Sequence, residues 1–395
     1  MSGWLGALAC SGGPADEAPR FTDGPFAGGG GADATANGGA GGQAGASSGG
    51  SSNAGSGGTT EANGGNSGLA GGAGSSSRGG AGSVPLSSVA RVGAQDCPLG
   101  PFGSPLPSNP SVQHLAAAGG TTAFNWEGVV WTGASLLFSE IANGNGSQIN
   151  RYTPGGGVER GVFANTGSNG LALDAAGDLL LAAHDVGGIS HLDLPGGALT
   201  RGTQTRNGMR FNSPNDLSLR GDGNIYFTDP DFQSPSGRIQ GGTRVYRIAP
   251  PQAGQGPAIS VVDDSIDQPN GITLSPDGNT LYVSGGSVLR SYSLDASGAP
   301  TPIRTFQQTL QVPDGMAMDC AGNVYAVENQ ARRVRVFSAE GELLGTIGPQ
   351  GFDNQSLTNV AFGGPNRTTL FISGFTQGDQ GGLYSVELQV PGLPY

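Results

Sequence analysis

The sequence predicts an all-β fold, a six-bladed β-propeller with four strands per blade around a central channel. Three observations carry that prediction. One hairpin pattern occurs six times, beginning EGVVWTGASLLFSE at Glu127, NGLALDAAGDLLLAAH at Asn169, PNDLSLRGDGNIYFTD at Pro214, PNGITLSPDGNTLYVS at Pro269, PDGMAMDCAGNVYAVE at Pro313 and TNVAFGGPNRTTLFIS at Thr358. The leading polar residues Glu127, Asn169, Asn215, Asn270, Asp314 and Asn359 stand 42, 46, 55, 44 and 45 residues apart, which is the period of a propeller blade. No long apolar stripe of helical period survives the density of Gly, Pro and Asn.

Taken in order, residues 1–10 read MSGWLGALAC, where Trp4 to Ala9 resemble the end of an apolar signal segment and Cys10 stands where a lipoprotein signal is cleaved and lipidated. Ala7 and Leu8 depart from the usual lipobox and no basic segment precedes them, so the plainer alternative is a disordered start with an incidental cysteine. Residues 11–91 are nearly all Gly, Ser, Ala and Asn, too poor in apolar side chains to offset chain entropy by burial. They are expected to form a flexible tether, spanning on the order of 50 Å. Export to the periplasm or cell surface, with a membrane contact only through a lipid on Cys10, is the matching expectation.

The folded domain is expected over residues 92–395. Pro101 to Pro110 form a proline-rich entry, and Val112 to Ala117 read as a strand whose expected partner is the final strand, Gly382 to Val390, because closing a ring in this way removes a free sheet edge. Between the hairpins, Gln148 to Tyr152, Ile189 to Leu194, Thr243 to Ile248, Val288 to Leu294 and Arg333 to Ser338 alternate with period two and read as further strands.

Composition excludes several functions. All 18 basic residues are arginine, so Schiff-base lysine chemistry is ruled out, and the net charge of -12 with no basic cluster beyond Arg332, Arg333 and Arg335 argues against nucleic acid or an anionic membrane as partner. A monomer acting on a small molecule is expected. Cys97 and Cys320 either pair or remain as one buried and one free thiol. No nucleophile elbow, zinc-protease helix motif, phosphate loop or paired C-x-x-C is present.

The innermost strands of a propeller line its channel, so the six leading residues read as a ring of two carboxylates and four amides. Such an oxygen set suits a hard cation such as calcium, with zinc, magnesium and manganese as alternatives. A turn explains an Asn or Asp before Gly but gives no reason for Glu127.

With EGVVW at Glu127, SPNDL at Ser213 followed by FTDP at Phe227, QPNGITLSPDGNTLYVS at Gln268 and VPDGMAMDCAGNVY at Val312, the chain resembles the gluconolactonase, senescence-marker-protein-30 and regucalcin family of six-bladed propellers over roughly Asn125 to Ser373. That resemblance implies one divalent metal, usually calcium, held by Glu127, Asn270 and Asp314, with Asn215 contacting the metal or the substrate. It also implies lactone or related ester hydrolysis, with Asp314 as general base. Asp216 is an alternative base, a residue that orients a ligand, or a backbone cap. Arg210 resembles a sugar-contacting arginine of the family, and His184 falls where several members carry a pocket histidine or a structural one. A non-catalytic binding module and phosphotriester hydrolysis as a side activity are the competing readings.

Overall fold

The computed structural model describes residues 97–393 apart from 118–123, 143–146, 254, 308, 353–355 and 376–380. The lipobox-like start and the tether of residues 11–91 lie outside the described residues.

Six four-stranded antiparallel sheets follow one another along the chain. Their innermost strands are Phe124–Trp131, Ser168–Leu173, Leu217–Leu219, Pro269–Leu274, Pro313–Met318 and Ser356–Gly363, which define blades one to six. Each of the first five blades runs outward in chain order. The sixth is completed by the first strand of the domain, Gln113–Ala117, which pairs antiparallel with Gly381–Glu387 through Gln113 opposite Ser385 and Ala117 opposite Gly382. The five further strands expected between the hairpins occur as Gln148–Thr153, Gly188–Leu192, Arg244–Ala249, Val288–Leu294 and Arg333–Phe337. One element was not legible in the sequence: a two-residue-per-strand hairpin, Thr205–Arg206 with Met209–Arg210, lies between the last strand of blade two, Leu199–Arg201, and the first of blade three, Leu217–Leu219.

The hydrophobic core is divided into six clusters, each spanning one blade-to-blade interface. Leu181 and Leu192 of blade two meet Val130 and Ile149 of blade one, while Phe371 of blade six stacks on Trp131 of blade one at 5.4 Å between ring centroids. Burial of such side chains supplies roughly 1.5–3 kcal/mol each before entropy is counted. Because every cluster is shared, no blade can keep its core without its neighbours. Cys97 and Cys320 are disulfide-bonded and pack against the cluster between blades four and five.

The strand register corrects the ring read from the sequence. Five inner strands carry a two-residue bulge at the same place, Gly128-Val129, Asn169-Gly170, Asn270-Gly271, Asp314-Gly315 and Thr358-Asn359. In blade three Asn215 and Asp216 share Thr228 in the same way, Asn215 donating its N–H to the Thr228 carbonyl and Thr228 donating its own to Asp216. Asn169, Asn215, Asn270 and Asp314 therefore share one position. Glu127 lies one residue before it and Asn359 one residue after it, so the six are not equivalent by register.

The bulges are fastened to one another around the ring. Thr228 Oγ1 donates to the Asn270 carbonyl at 2.6 Å, Ser284 Oγ to the Asp314 carbonyl at 2.7 Å, and Thr358 Oγ1 to the Trp126 carbonyl at 2.5 Å. This explains the glycine of PNG and PDG: a Cβ on Gly271 would stand 2.4 Å from the main-chain oxygen of Asp314, and one on Gly315 2.4 Å from Asn359 Cγ. Gly271→Ala is expected to cost about 1–3 kcal/mol by overpacking and to displace Asp314. Calorimetry against the parent checks the first effect; an unchanged midpoint would show that the neighbouring blade yields freely.

Candidate active site on the propeller axis

At the start of the inner strands three carboxyl groups lie close enough for their charges to act on one another. Glu127, Asp216 and Asp314 are each buried, at 9%, 7% and 6% exposure. Burial raises the Glu127 pKa well above the usual range, and the charges of Asp314 and Asp216 raise it further. Burial pushes Asp314 up to about 7, with a further push from Asp216 and opposition from the amides of Asn329 and Asn270. Asp216 is likewise pushed up to about 7 by burial, against hydrogen bonds from the Leu217 and Ile272 N–H groups and from Asn359. Among the described residues, the hydrogen bonds that hold the three are from amides, Thr358 and main-chain N–H groups, none from a basic side chain.

The cause of the desolvation lies just beyond. Val129, Leu171, Leu217, Ile272, Met316 and Val360, one from each blade, line the channel beside Asp216 and Asn359, and Leu393 enters it from the C-terminal segment. The carboxylates thus sit on an apolar floor.

The structure links Glu127, Asn270 and Asp314 with Asp216 and places Asn215 in the bulge position of Asn270 and Asp314. Asp314 Oδ2 accepts from Asn329 Nδ2 at 3.0 Å, and the Asn270 amide is a second partner of that carboxyl. Asn215 is buried in the equivalent position of blade three, and its carbonyl accepts from Gly170 at 2.6 Å. Glu127 reaches the group through Thr358, its side-chain partner from blade six. Asn169, 1% exposed and in the shared bulge position, has a buried Nδ2 with no hydrogen-bond partner.

Arg210 and His184 are placed differently. The Arg210 guanidinium donates to the carbonyls of Phe211, Asp185 and His184 at 3.1, 3.1 and 2.9 Å, so it fastens blade two to the lead-in of blade three. His184 is 6% exposed, with Nε2 2.9 Å from Ser147 Oγ, and burial lowers its pKa to about 4. Neither makes a described contact with Glu127, Asp216 or Asp314, and the geometry gives both a structural part.

Two supporting residues escaped the sequence reading. Asn329 donates its side chain to Asp314 and its N–H to the Val312 carbonyl at 3.1 Å, bracketing the strand that carries Asp314. That bracket matters because Val312 and Gln268, each two residues before an axial side chain, have φ of 51° and 48°; left-handed backbone at a β-branched residue needs the surrounding structure to hold it. Asp229 accepts from the N–H groups of Asn212 and Ser213 at 3.0 and 2.8 Å and so fixes the approach to Asn215. A signal for it stands in the sequence: the second strands of blades three and five end IYFTD and VYAVE, and Glu328 caps Gln311 N–H at 2.7 Å in the same manner.

The residues fit a hard divalent cation. Three buried carboxyl groups that repel one another, beside the amides of Asn215 and Asn270, form an oxygen-only donor set with an excess of negative charge, and a divalent ion is what neutralises such a set. Comparison with known proteins agrees with this fold. The profile of the SMP-30/Gluconolactonase/LRE-like region matches residues 126–376. A gluconolactonase of Zymomonas mobilis is 31% identical over 280 residues, covering 62% of this chain and 75% of its own. Among solved structures, a gluconolactonase from Xanthomonas campestris superposes with a TM-score of 0.58 at 28% identity, covering 74% of this chain and 98% of that one. Regucalcin from Agrobacterium tumefaciens, described as a calcium-binding protein, shares the fold with a TM-score of 0.55 at 18% identity, over 70% of this chain and 95% of its own.

Proposed function

The chain belongs to the SMP-30/gluconolactonase/LRE-like family, and from that premise we propose that it hydrolyses lactones, sugar lactones first among them, with one divalent cation held by Glu127, Asn215, Asn270 and Asp314. The observation that carries the reading is the meeting of three buried carboxyl groups on the axis with no basic partner. Calcium is the preferred ion because every donor is oxygen and two are amides.

When bound, such a cation supplies Lewis-acid polarisation of the lactone carbonyl. The chain's own part is proton transfer and positioning. Asp314, with Oδ2 fixed by Asn329, accepts a proton from the water that attacks the acyl carbon and returns it to the ring oxygen as the C–O bond breaks. Asn270 keeps the Asp314 carboxyl oriented. Asp216, tied down by the Leu217 N–H at 2.9 Å and facing the apolar channel, supplies charge to the site rather than the proton-accepting atom. Export is a further part of the proposal, supported by the Cys97–Cys320 bond, since disulfides persist in oxidising compartments.

The test is turnover by the purified chain of sugar lactones, aliphatic lactones and aryl esters, with a chelator and after calcium is restored. Lactone hydrolysis lost on chelation and recovered with calcium is expected. Absence of turnover by the calcium-loaded protein would instead favour a binding module. Glu127→Gln removes one charge at constant shape and is expected to weaken calcium binding at least about tenfold; unchanged affinity by calorimetry would take Glu127 out of the coordination sphere.

A further inference from the structure

Outside the axis, one cluster of ligand-type side chains stands at the turn joining the first two strands of blade two. We propose that Asp174, Asp178 and His191 form a second metal site, for a borderline divalent transition ion such as zinc, separate from the axial centre.

What distinguishes the cluster is which of its atoms are already spent. Asp174 Oδ1 accepts from the N–H groups of Ala176 and Asp178 at 2.8 and 3.0 Å, and Asp178 Oδ1 accepts from Leu194 N–H at 2.6 Å. Each carboxylate thus spends Oδ1 on main-chain N–H groups and turns Oδ2 toward His191, whose Nε2 is hydrogen-bonded to Asp174 Oδ2. Those two Oδ2 atoms and His191 Nε2 all lie within 4.8 Å of one another. Nε2 is 3.1 Å from the Asp174 oxygen and 3.9 Å from that of Asp178. Ligands about 2.0–2.2 Å from a tetrahedral zinc stand roughly 3.4 Å apart, between the two observed spacings. The other ring nitrogen, Nδ1, is 3.2 Å from Asp193 Oδ1. A carboxylate in that place orients the ring so that Nε2 faces the two aspartates, as the partner of a metal-ligating imidazole does.

The same turn in blade five shows what an uncharged solution looks like. Asp319 Oδ1 accepts from Ala321 and Asn323 N–H groups, as Asp174 does for its own turn, but Asp319 Oδ2 is satisfied by Asn323 Nδ2 at 2.8 Å and Tyr325 OH at 3.0 Å. Blade two replaces those neutral donors with one imidazole among three carboxylates, a set of ligand atoms that a divalent ion can bridge. The imidazole sets the ion's class, since nitrogen ligation favours zinc, cobalt or nickel over calcium. Side-chain exposures of 14% at His191 and 21% at Asp178 leave a path for entry and for a water as fourth ligand.

Zinc titration of the metal-free full chain by equilibrium dialysis, with cobalt(II) absorption as a geometric readout, tests this. In the Glu127→Gln background one zinc per chain is expected to remain, with the visible bands of four-coordinate cobalt. His191→Gln is expected to weaken that binding at least about a hundredfold, and Asp178→Asn, which alters one charge only, to weaken it by a smaller factor. Calcium-supported lactone turnover should be unchanged in His191→Gln. Zinc bound with parental affinity and stoichiometry by both variants would overturn the proposal, as would zinc binding abolished by Glu127→Gln alone, which would assign the ion to the axis. A tighter-than-millimolar site that ignores all three substitutions would mark an adventitious ion only.

Discussion

Asp314→Asn is expected to lower kcat for lactone hydrolysis by roughly 10²–10⁴-fold, the usual contribution of a positioned general base, at calcium concentrations that saturate the variant. An amide oxygen coordinates a cation but accepts no proton from water. The position is well chosen for the separation, because the Asn329 amide that holds Asp314 Oδ2 at 3.0 Å still has an oxygen to bond in the variant. Loss of kcat with calcium affinity lowered only by the missing charge would assign proton transfer to Asp314. Recovery of full turnover in excess calcium would reduce Asp314 to a ligand and move the base to Asp216.

The metal-free protein is expected to lose stability as pH rises from about 4 to about 7, and calcium to reverse that trend. The sign follows from the pKa directions. Asp216 and Asp314 have folded-state values pushed up to about 7, from ordinary carboxylate values in the unfolded chain, and Glu127 is raised as well. In that window the native state binds more protons than the unfolded one, so the free energy of unfolding falls with pH and levels off above the folded-state values. Raising one carboxyl pKa by one corresponds to about 1.4 kcal/mol, and for a domain of this size a combined loss of a few kcal/mol lowers the melting temperature by on the order of 5–10 °C. Calcium binds the ionised form and so stabilises most where the metal-free protein is weakest. A metal-free melting temperature that climbs between pH 5 and 7.5 would mean that the three groups are not competing for ionisation.

The architecture was legible because repetition averages out local ambiguity. A single NGLAL or PNGITL is compatible with many turns, whereas six hairpins at blade spacing are compatible with few folds, and even the closing pair of strands could be named from the need to cover an edge. The inner-strand starts were legible in the sequence, but their register was not. EGVV and NGLA look alike in sequence, yet Gly128 is left-handed at φ 51° and itself occupies the first bulge place, while Gly170 fills the second place after Asn169. A bulge consumes one residue without leaving a compositional trace, so counting from the glycine misplaced Glu127 by one. The hydrogen bonds of Arg210 and His184 were not legible for another reason. Their hydrogen bonds go to main-chain carbonyls and to Ser147, and such destinations exist only once blades two and three are in contact. The short hairpin ending at Arg210 has too few residues to show alternation.

The closure of blade six sets the order in which the molecule can be made. Gln113–Ala117 is among the first segments of the domain to leave the ribosome, and its partner Gly381–Glu387 is almost the last. During synthesis of everything between them, the early strand has no sheet to join, and blade one lacks the neighbour that covers Trp131 and Phe138. Cys97 waits in the same way for Cys320, 223 residues later. Contacts of such long sequence separation form late because loop closure precedes any reward. The ring therefore cannot close before Gly381–Glu387 has been made, and until then the emerging chain carries two unpaired flanks.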